Sequence, residues 1–333
     1  MTFRGRASWG LAAVGLTLAV GLFLIAQPRN VVTLALSARP ALLLVALAGT
    51  FVVQAFRGLR LALLAGPAIR VAPASAAAAI SQLASGVLPL RIGELALVPL
   101  LQAAGLPGTI HGLAVLVFAR ILDLAAILAW GVVAAAVIGG DPTIAGAGLL
   151  LLAVALVVAA LVGTRVLVRI ARLWRARRGW RRRVVAQLLR TRSEVALIAR
   201  SPARAGGSVA VSLLLWGGIW GVTVVLLRAM QLRWPAGPVL LGVVGGALGS
   251  SLPVNSVGTF GTQEAGWTAA LAGTGVPVKQ ALAAGFACHL WVLVFSLVIG
   301  AVAAIYLLRL QPGRSATTLL ASVKSFLRSA RGA

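Results

Sequence analysis

Two pairs of opposite charges stand three residues apart in an otherwise apolar chain: Arg91 with Glu94, and Arg120 with Asp123. On a helix that spacing puts both members of a pair on one face. Inside a bilayer each charge costs about 2.5–3.5 kcal/mol to insert, so each requires a reason. Two readings stand side by side. The pairs either neutralise one another locally, or they line a charged cavity that handles a phosphate headgroup, for which arginine offers bidentate donors. Glu264 has no acid or base near it in sequence and lies among Asn255, Ser256, Thr259, Thr262 and Gln263. It either caps the exposed N-terminus of a half-helix or is a protonatable carboxyl that couples transport. His289, next to Cys288, reads more readily as a packed polar residue than as a ligand, and stays a candidate for the same site.

Catalysis finds little to work with. His111 and His289 are the only histidines, and no cluster of acids has metal-ligand spacing. The single Cys288 excludes an internal disulfide framework and a multi-cysteine metal site. The expectation is therefore no catalytic residues, no metal, no cofactor and no enzymatic activity.

The elements that must position these charges are membrane helices. Of 333 residues, 60% are apolar and 11% charged, and the mean hydropathy is +1.03. An ordinary soluble domain is about a quarter charged, so this chain cannot present a wet surface on all sides. Apolar runs long enough to cross a ~30 Å core fall at 9–26, 40–56, 109–138, 143–164, 206–228 and 279–308, and the first is too long for a cleavable signal. Two further stretches, 74–104 and 238–274, are apolar but broken near the middle, the first by Pro89-Leu90-Arg91 and the second by Pro253 to Gly261. At ~1.5 Å per residue each half reaches only ~15–20 Å. Each stretch is then one broken crossing or a re-entrant hairpin. Trp9, Trp130, Trp234 and Trp267 are expected in interfacial belts, and the Gly217/Gly221, Gly242/Gly246 and Gly245/Gly249 pairs at close helix contacts.

Charge separates the two possibilities. The net charge is +25, with 30 bases against five acids. If both stretches are hairpins, 23 bases share one side: Arg4, Arg6, Arg57, Arg60, Arg70, thirteen arginines within 165–204 and five bases beyond 308. The other side then carries five, namely Arg29, Arg39, Arg228, Arg233 and Lys279. Two full crossings would make the division 16 against 12. The positive-inside bias favours hairpins entering from opposite faces, with both chain ends cytoplasmic. The bases contact anionic lipid headgroups, and without a soluble domain to carry it nucleic-acid binding is not expected.

Opposed hairpins imply an inverted repeat, and matching residues exist. Leu88-Pro89 precedes Gly93-Glu94, and Leu252-Pro253 precedes Gly261 and Glu264. Eleven residues after Glu94 stands Gly105-Leu106-Pro107, and eleven after Glu264 stands Gly275-Val276-Pro277. Each tripeptide opens a long apolar run. Inverted repeats with broken helices meeting near the midplane are a transporter architecture, because freed backbone groups and half-helix ends can receive polar cargo.

The segment Leu88-Pro-Leu-Arg-Ile-Gly-Glu94, followed by Ala119-Arg-Ile-Leu-Asp-Leu124, resembles the signature of the lysylphosphatidylglycerol synthase transmembrane (flippase-like) family. Pro253 to Glu264, continuing to Gly275-Val-Pro277, is similar to that family's second Pro…Gly…Glu motif. The resemblance runs over roughly residues 10–308. It implies a polytopic inner-membrane protein that moves lipids between leaflets or supports lipid-linked glycan and hopanoid pathways. Arg91, Gly93, Glu94, Arg120, Asp123 and Glu264 occupy its motif positions. Where the family often has an arginine after the first Gly-Glu, this chain has Leu95-Ala-Leu-Val98, and where a basic residue is common in the last helix it has His289. The synthase's aminoacyl-transferase domain is not expected, since the 24 residues from Leu310 to Ala333 are too few to fold into one.

These readings converge on an all-α polytopic membrane protein of about six transmembrane helices plus two re-entrant hairpins in an inverted repeat. Residues 1–164 form a first half with its hairpin near 74–104, and 165–205 an Arg-rich cytoplasmic segment. Residues 206–309 form a second half with its hairpin near 238–274, and 310–333 a basic cytoplasmic tail. The expected function is translocation of a phospholipid or lipid-linked intermediate across the bacterial inner membrane. Its headgroup would meet Arg91, Glu94, Arg120, Asp123, Asn255, Glu264 and His289. The alternatives are an ion- or proton-coupled transporter of a small anionic solute, and a non-transporting partner of a lipid-modifying enzyme. The sequence leaves the oligomeric state open.

Overall fold

The computed structural model describes residues 3–87, 92–139, 201–252 and 259–310. Among them every regular element is helical. In chain order these are α1 (Phe3–Ile25), α2 (Pro28–Leu36), α3 (Pro40–Ala65), α4 (Val71–Val87), α5 (Ile92–Leu95), α6 (Leu97–Ala103), α7 (Thr109–Gly139), α8 (Pro202–Ala229), α9 (Ala236–Ser250), α10 (Thr262–Leu271) and α11 (Val278–Leu310). Four are long and apolar enough to cross a membrane: α3 with its trailing 3-10 turn, α7, α8 and α11. At ~1.5 Å per residue, the 31 residues of α7 span ~46 Å, ample for a ~30 Å core.

The six expected spans are thus met in part. The run at 9–26 becomes α1, which is followed by α2 at a 75° bend. The bend has a local cause: Gln27 adopts φ 62, and Pro28 opens the next helix where its missing N–H does no harm. The run at 40–56 does not stop there. It continues helically to Ala65, carrying Arg57 and Arg60 with it. The run at 143–164, the Arg-rich segment 165–205 and the tail 311–333 lie outside the described residues.

Both interrupted stretches are helix–break–helix. In the first, α4 is followed by the short α5 and α6; in the second, α9 is followed by α10. Each pair sits between two long helices, so the order α3–(α4, α5, α6)–α7 reappears as α8–(α9, α10)–α11. The junctions agree as well. Gly105 and Gly275, with φ 111 and 82, turn the chain ahead of Pro107 and Pro277, and α7 and α11 start one or two residues later. Only glycine takes that backbone conformation without penalty.

The packing crosses between the two runs. Helix α3 lies along α8, α4 lies against α11, and α9 lies against α7. Alanine permits the close approach of α4, whose Ala76 and Ala79 pack on Ile299, Ala303 and Leu307 of α11. Within the second broken region the arms meet backbone to backbone. A side chain at Gly245 would strike the Gly266 carbonyl, and one at Gly249 the Thr262 carbonyl. Of the three expected pairs, Gly245/Gly249 and Gly242/Gly246 face α10, whereas Gly217 faces Trp130 and nothing lies within 4 Å of a side chain at Gly221. Trp267 departs from the expected belt. It is 6% exposed, packs in the core around α9 to α11, and donates its indole N–H to the Ala281 carbonyl at 3.0 Å.

Candidate functional site

The charged residues converge on a cavity of about 250 Å³ between the two runs of helices. Arg57 and Arg60 reach it from α3, Glu94 from α5, Arg120 and Asp123 from α7, and His289 from α11. The broken regions complete the wall with hydroxyl and amide groups, Ser81, Gln82 and Ser85 on one side and Ser250, Thr259 and Gln263 on the other.

At its centre is Asp123, whose side chain is 11% exposed. Arg60 donates from Nη1 to Oδ1 at 2.6 Å, Trp216 donates its indole N–H to the same oxygen at 3.1 Å, and Arg120 donates from Nη1 to Oδ2 at 3.1 Å. Arg120 then reaches on to Glu94, with Nε 3.2 Å from Oε2. The pair expected from spacing alone, Arg120 with Asp123, is therefore one link of a longer chain, Arg60–Asp123–Arg120–Glu94. It joins α3, α7 and α5, with α8 contributing Trp216 and the Ser212 hydroxyl, 3.4 Å from Arg60 Nη1. The two ends differ. Arg60 is 4% exposed at its side chain, whereas Arg120 is 46% exposed. A buried pair held by several donors is fixed, since removing either partner strands a charge. The Arg120–Glu94 end lies open to the cavity.

Arg57 lies one helical turn before Arg60 and makes no ion pair among the described residues. Two other polar atoms, Arg60 Nε and Gln82 Oε1, are buried there without a hydrogen-bond partner. Polar groups withdrawn from water normally find partners, so a cationic and amide lining of this kind is suited to a polar or anionic guest.

The second acid is built differently. Glu264 is 1% exposed and stands in the first turn of α10. Its Oε2 accepts the Gly261 backbone N–H at 2.7 Å, which is the acid's half of a capping box. Its Oε1 lies 2.6 Å from His289 Nδ1. Gly261 has φ 94 and abuts the Ala19 backbone, so no larger residue fits at this cap. The Phe260 ring stacks on the His289 imidazole, with centroids 4.0 Å apart and planes at 17°. Of the two roles expected for Glu264, the cap is formed; the carboxyl meets the cavity only through His289.

Of the residues expected to form the site, Glu94, Arg120, Asp123 and His289 line one cavity, and Glu264 stands directly behind the last. Arg91 and Asn255 lie outside the described residues. Arg57 and Arg60 had been placed among the extramembrane bases and instead face the cavity. Their signal was present in the sequence: an i, i+3 pair of arginines with apolar residues continuing on both sides, Phe56 before and Leu61 to Leu64 after. Trp216 carried no comparable signal, because nothing distinguishes it from the other tryptophans of the apolar runs.

Residues 11–300 match the family model described as the lysylphosphatidylglycerol synthase TM region. No curated protein and no solved structure matches the chain.

Proposed function

Because the chain belongs to the lysylphosphatidylglycerol synthase transmembrane family, we propose that it moves a phospholipid or lipid-linked intermediate between leaflets. The headgroup enters the charged cavity while the acyl chains stay in the bilayer. The observation that carries this reading is Arg57, which lines the cavity with no direct ion pair among the described residues and with Asp123 and Glu94 acting on it only at longer range, beside the Arg60–Asp123–Arg120–Glu94 chain. A volume of about 250 Å³ is below the ~300–1,000 Å³ of pockets that enclose drug-sized ligands. It suits a phosphate-bearing headgroup far better than a whole lipid.

The two broken regions act as re-entrant hairpins from opposite faces, forming an inverted repeat, with both chain ends on the cytoplasmic side of a bacterial inner membrane. The charge division and the crossed packing of α4 on α11 and α9 on α7 support this arrangement. Single cysteines at Ala72 and Leu106, in a Cys288→Ala background, should label from the same side, and cysteines at Asp141 and Ala186 from opposite sides. Labelling of 72 and 106 from opposite faces would make the first stretch a crossing and dissolve the inverted repeat.

Function itself is tested in proteoliposomes containing a fluorescent phosphatidylglycerol, by chemical quenching of the outer leaflet. The protein should speed exchange. Arg57→Gln should slow it about tenfold or more, since a hydrogen bond to a charged group is worth about 1.5–3 kcal/mol. Uptake of inorganic phosphate with no lipid exchange would instead identify a solute transporter.

A further inference from the structure

We infer that His289 and Glu264 form the proton site of a lipid–proton cotransporter, in which one proton travels with each anionic headgroup; this rests on the translocation reading above.

The geometry assigns separate tasks to the two residues. Glu264 is tied twice, by the Gly261 N–H on Oε2 and by His289 on Oε1. A carboxylate on Oε1 requires the proton of a neutral imidazole to sit on Nδ1, which leaves Nε2 as the atom that gains or loses a proton. Nothing else in the pair changes: a proton arrives at Nε2 from water on one side and leaves to water on the other. With Nε2 bare the pair carries one negative charge; with Nε2 protonated it carries none.

That change faces the guest. His289 lines the same cavity as Arg57, Arg60 and Arg120, where charges interact more strongly than in water. Loading Nε2 makes the cavity more positive by one unit, and an anionic headgroup restores the balance. Linkage then works both ways: the anion raises the proton affinity of His289 by the factor that the proton raises the affinity for the anion. Phe260 makes the same change legible to the fold. Its ring lies face-on to the imidazole, and it immediately precedes the Gly261 cap of α10.

Among the described residues that face this pair, no other group offers this titration. Of the elements packed against α11, α4 carries no acid or base, Arg29 of α2 and Arg204 and Arg228 of α8 are exposed, and the described side chains of α1, Ala13 to Ile25, include no charge. Helix α10 presents only Glu264. From α3, Arg57 and Arg60 face the cavity and stay charged at any relevant pH. Asp123 and Glu94 are held by arginines. Cys288 is buried and does not line the cavity. Histidine is the side chain whose charge ordinarily changes between pH 5 and 8.

The test uses the full chain in phosphatidylcholine vesicles with trapped pyranine. Fluorescent phosphatidylglycerol is the probe, and fluorescent phosphatidylcholine the control without net charge. Acid outside should drive the anionic probe inward, changing its leaflet ratio by up to about tenfold per pH unit for one proton per lipid, with matching acidification of the lumen. The control lipid should show no such shift. His289→Gln should lose both the shift and the proton flux. An equal gradient response in His289→Gln, or wild-type exchange that ignores the gradient, overturns the inference and leaves translocation standing. Absence of wild-type exchange removes both. Should His289→Gln fail to insert or to exchange the probe, the wild type in weakly buffered detergent decides: adding dihexanoyl phosphatidylglycerol should take up about one proton per lipid bound, and binding without uptake overturns the proposal.

Discussion

The two broken regions occupy matching places in the chain and carry matching acids, yet they satisfy those acids by opposite means. Glu94 is 19% exposed at its side chain and is held across the cavity by Arg120 of α7, one end of a chain that runs on to Asp123 and Arg60. Glu264 is fully buried and satisfied close by, by the backbone at its own helix start and by a neighbouring histidine. The seams share a device: the arms touch through Gly245, Gly249 and Gly266 in the second region and through Gly93 against the Ala84–Ser85 backbone in the first, where the Ser81 hydroxyl also donates to the Gly93 carbonyl at 3.0 Å. A charge met by a half-exposed arginine can be exchanged for a charge on cargo. One met by backbone and a stacked histidine cannot leave, and can change only by protonation. Matching acids thus stand in two settings, one open to the cavity and one buried at a helix start.

The largest expected effect falls on the buried link behind the first region. Arg60→Met leaves Asp123 buried with one arginine fewer, and breaking such a pair costs about 3–5 kcal/mol. Thermal unfolding of the detergent-purified protein should show it, and Arg60→Met with Asp123→Leu should recover most of the loss. Recovery is the informative outcome, because it separates the cost of a stranded charge from the cost of lost packing. An Arg60→Met variant as stable as wild type would show that the chain of charges does not join α3 to α7 energetically. Next comes Glu264→Ala, which removes the cap and leaves His289 Nδ1 unmet, for about 1–3 kcal/mol. Glu264→Gln should cost less, since glutamine also serves at that position of a capping box.

Much of this division could be read from residue order. The equal spacing from each acid to Gly-x-Pro led to two comparable regions, and the matching backbone turns at Gly105 and Gly275 follow from it. The apolar runs located α7, α8 and α11 to within a few residues at most ends. What the sequence concealed were contacts set by long-range packing. Arg60 meets Asp123 across 63 residues, and nothing local in either segment announces that partnership. Counting bases by side even obscured it, since a charge just past an apolar run looks extramembrane until the helix is seen to continue. His289 was a candidate from the sequence, but its partners were hidden for a related reason: they are Glu264, 25 residues away, and the Phe260 ring.

The smallest expected change in stability belongs to Glu94, and it tests the comparison most directly. Its partner Arg120 is 46% exposed and keeps a second contact with Asp123. Ion pairs open to solvent contribute about 0–1 kcal/mol, so Glu94→Gln should shift unfolding by less than about 1 kcal/mol. Its effect on lipid exchange should be out of proportion to that. Without the Glu94 charge, Arg120 has only the already shared Asp123 to return to once a headgroup leaves, and release of the guest becomes the slow step. Exchange of fluorescent phosphatidylglycerol should then fall while the affinity for dihexanoyl phosphatidylglycerol rises. A loss of stability comparable to that of Glu264→Ala, with affinity unchanged, would make the two acids structural equivalents and erase the difference between the regions.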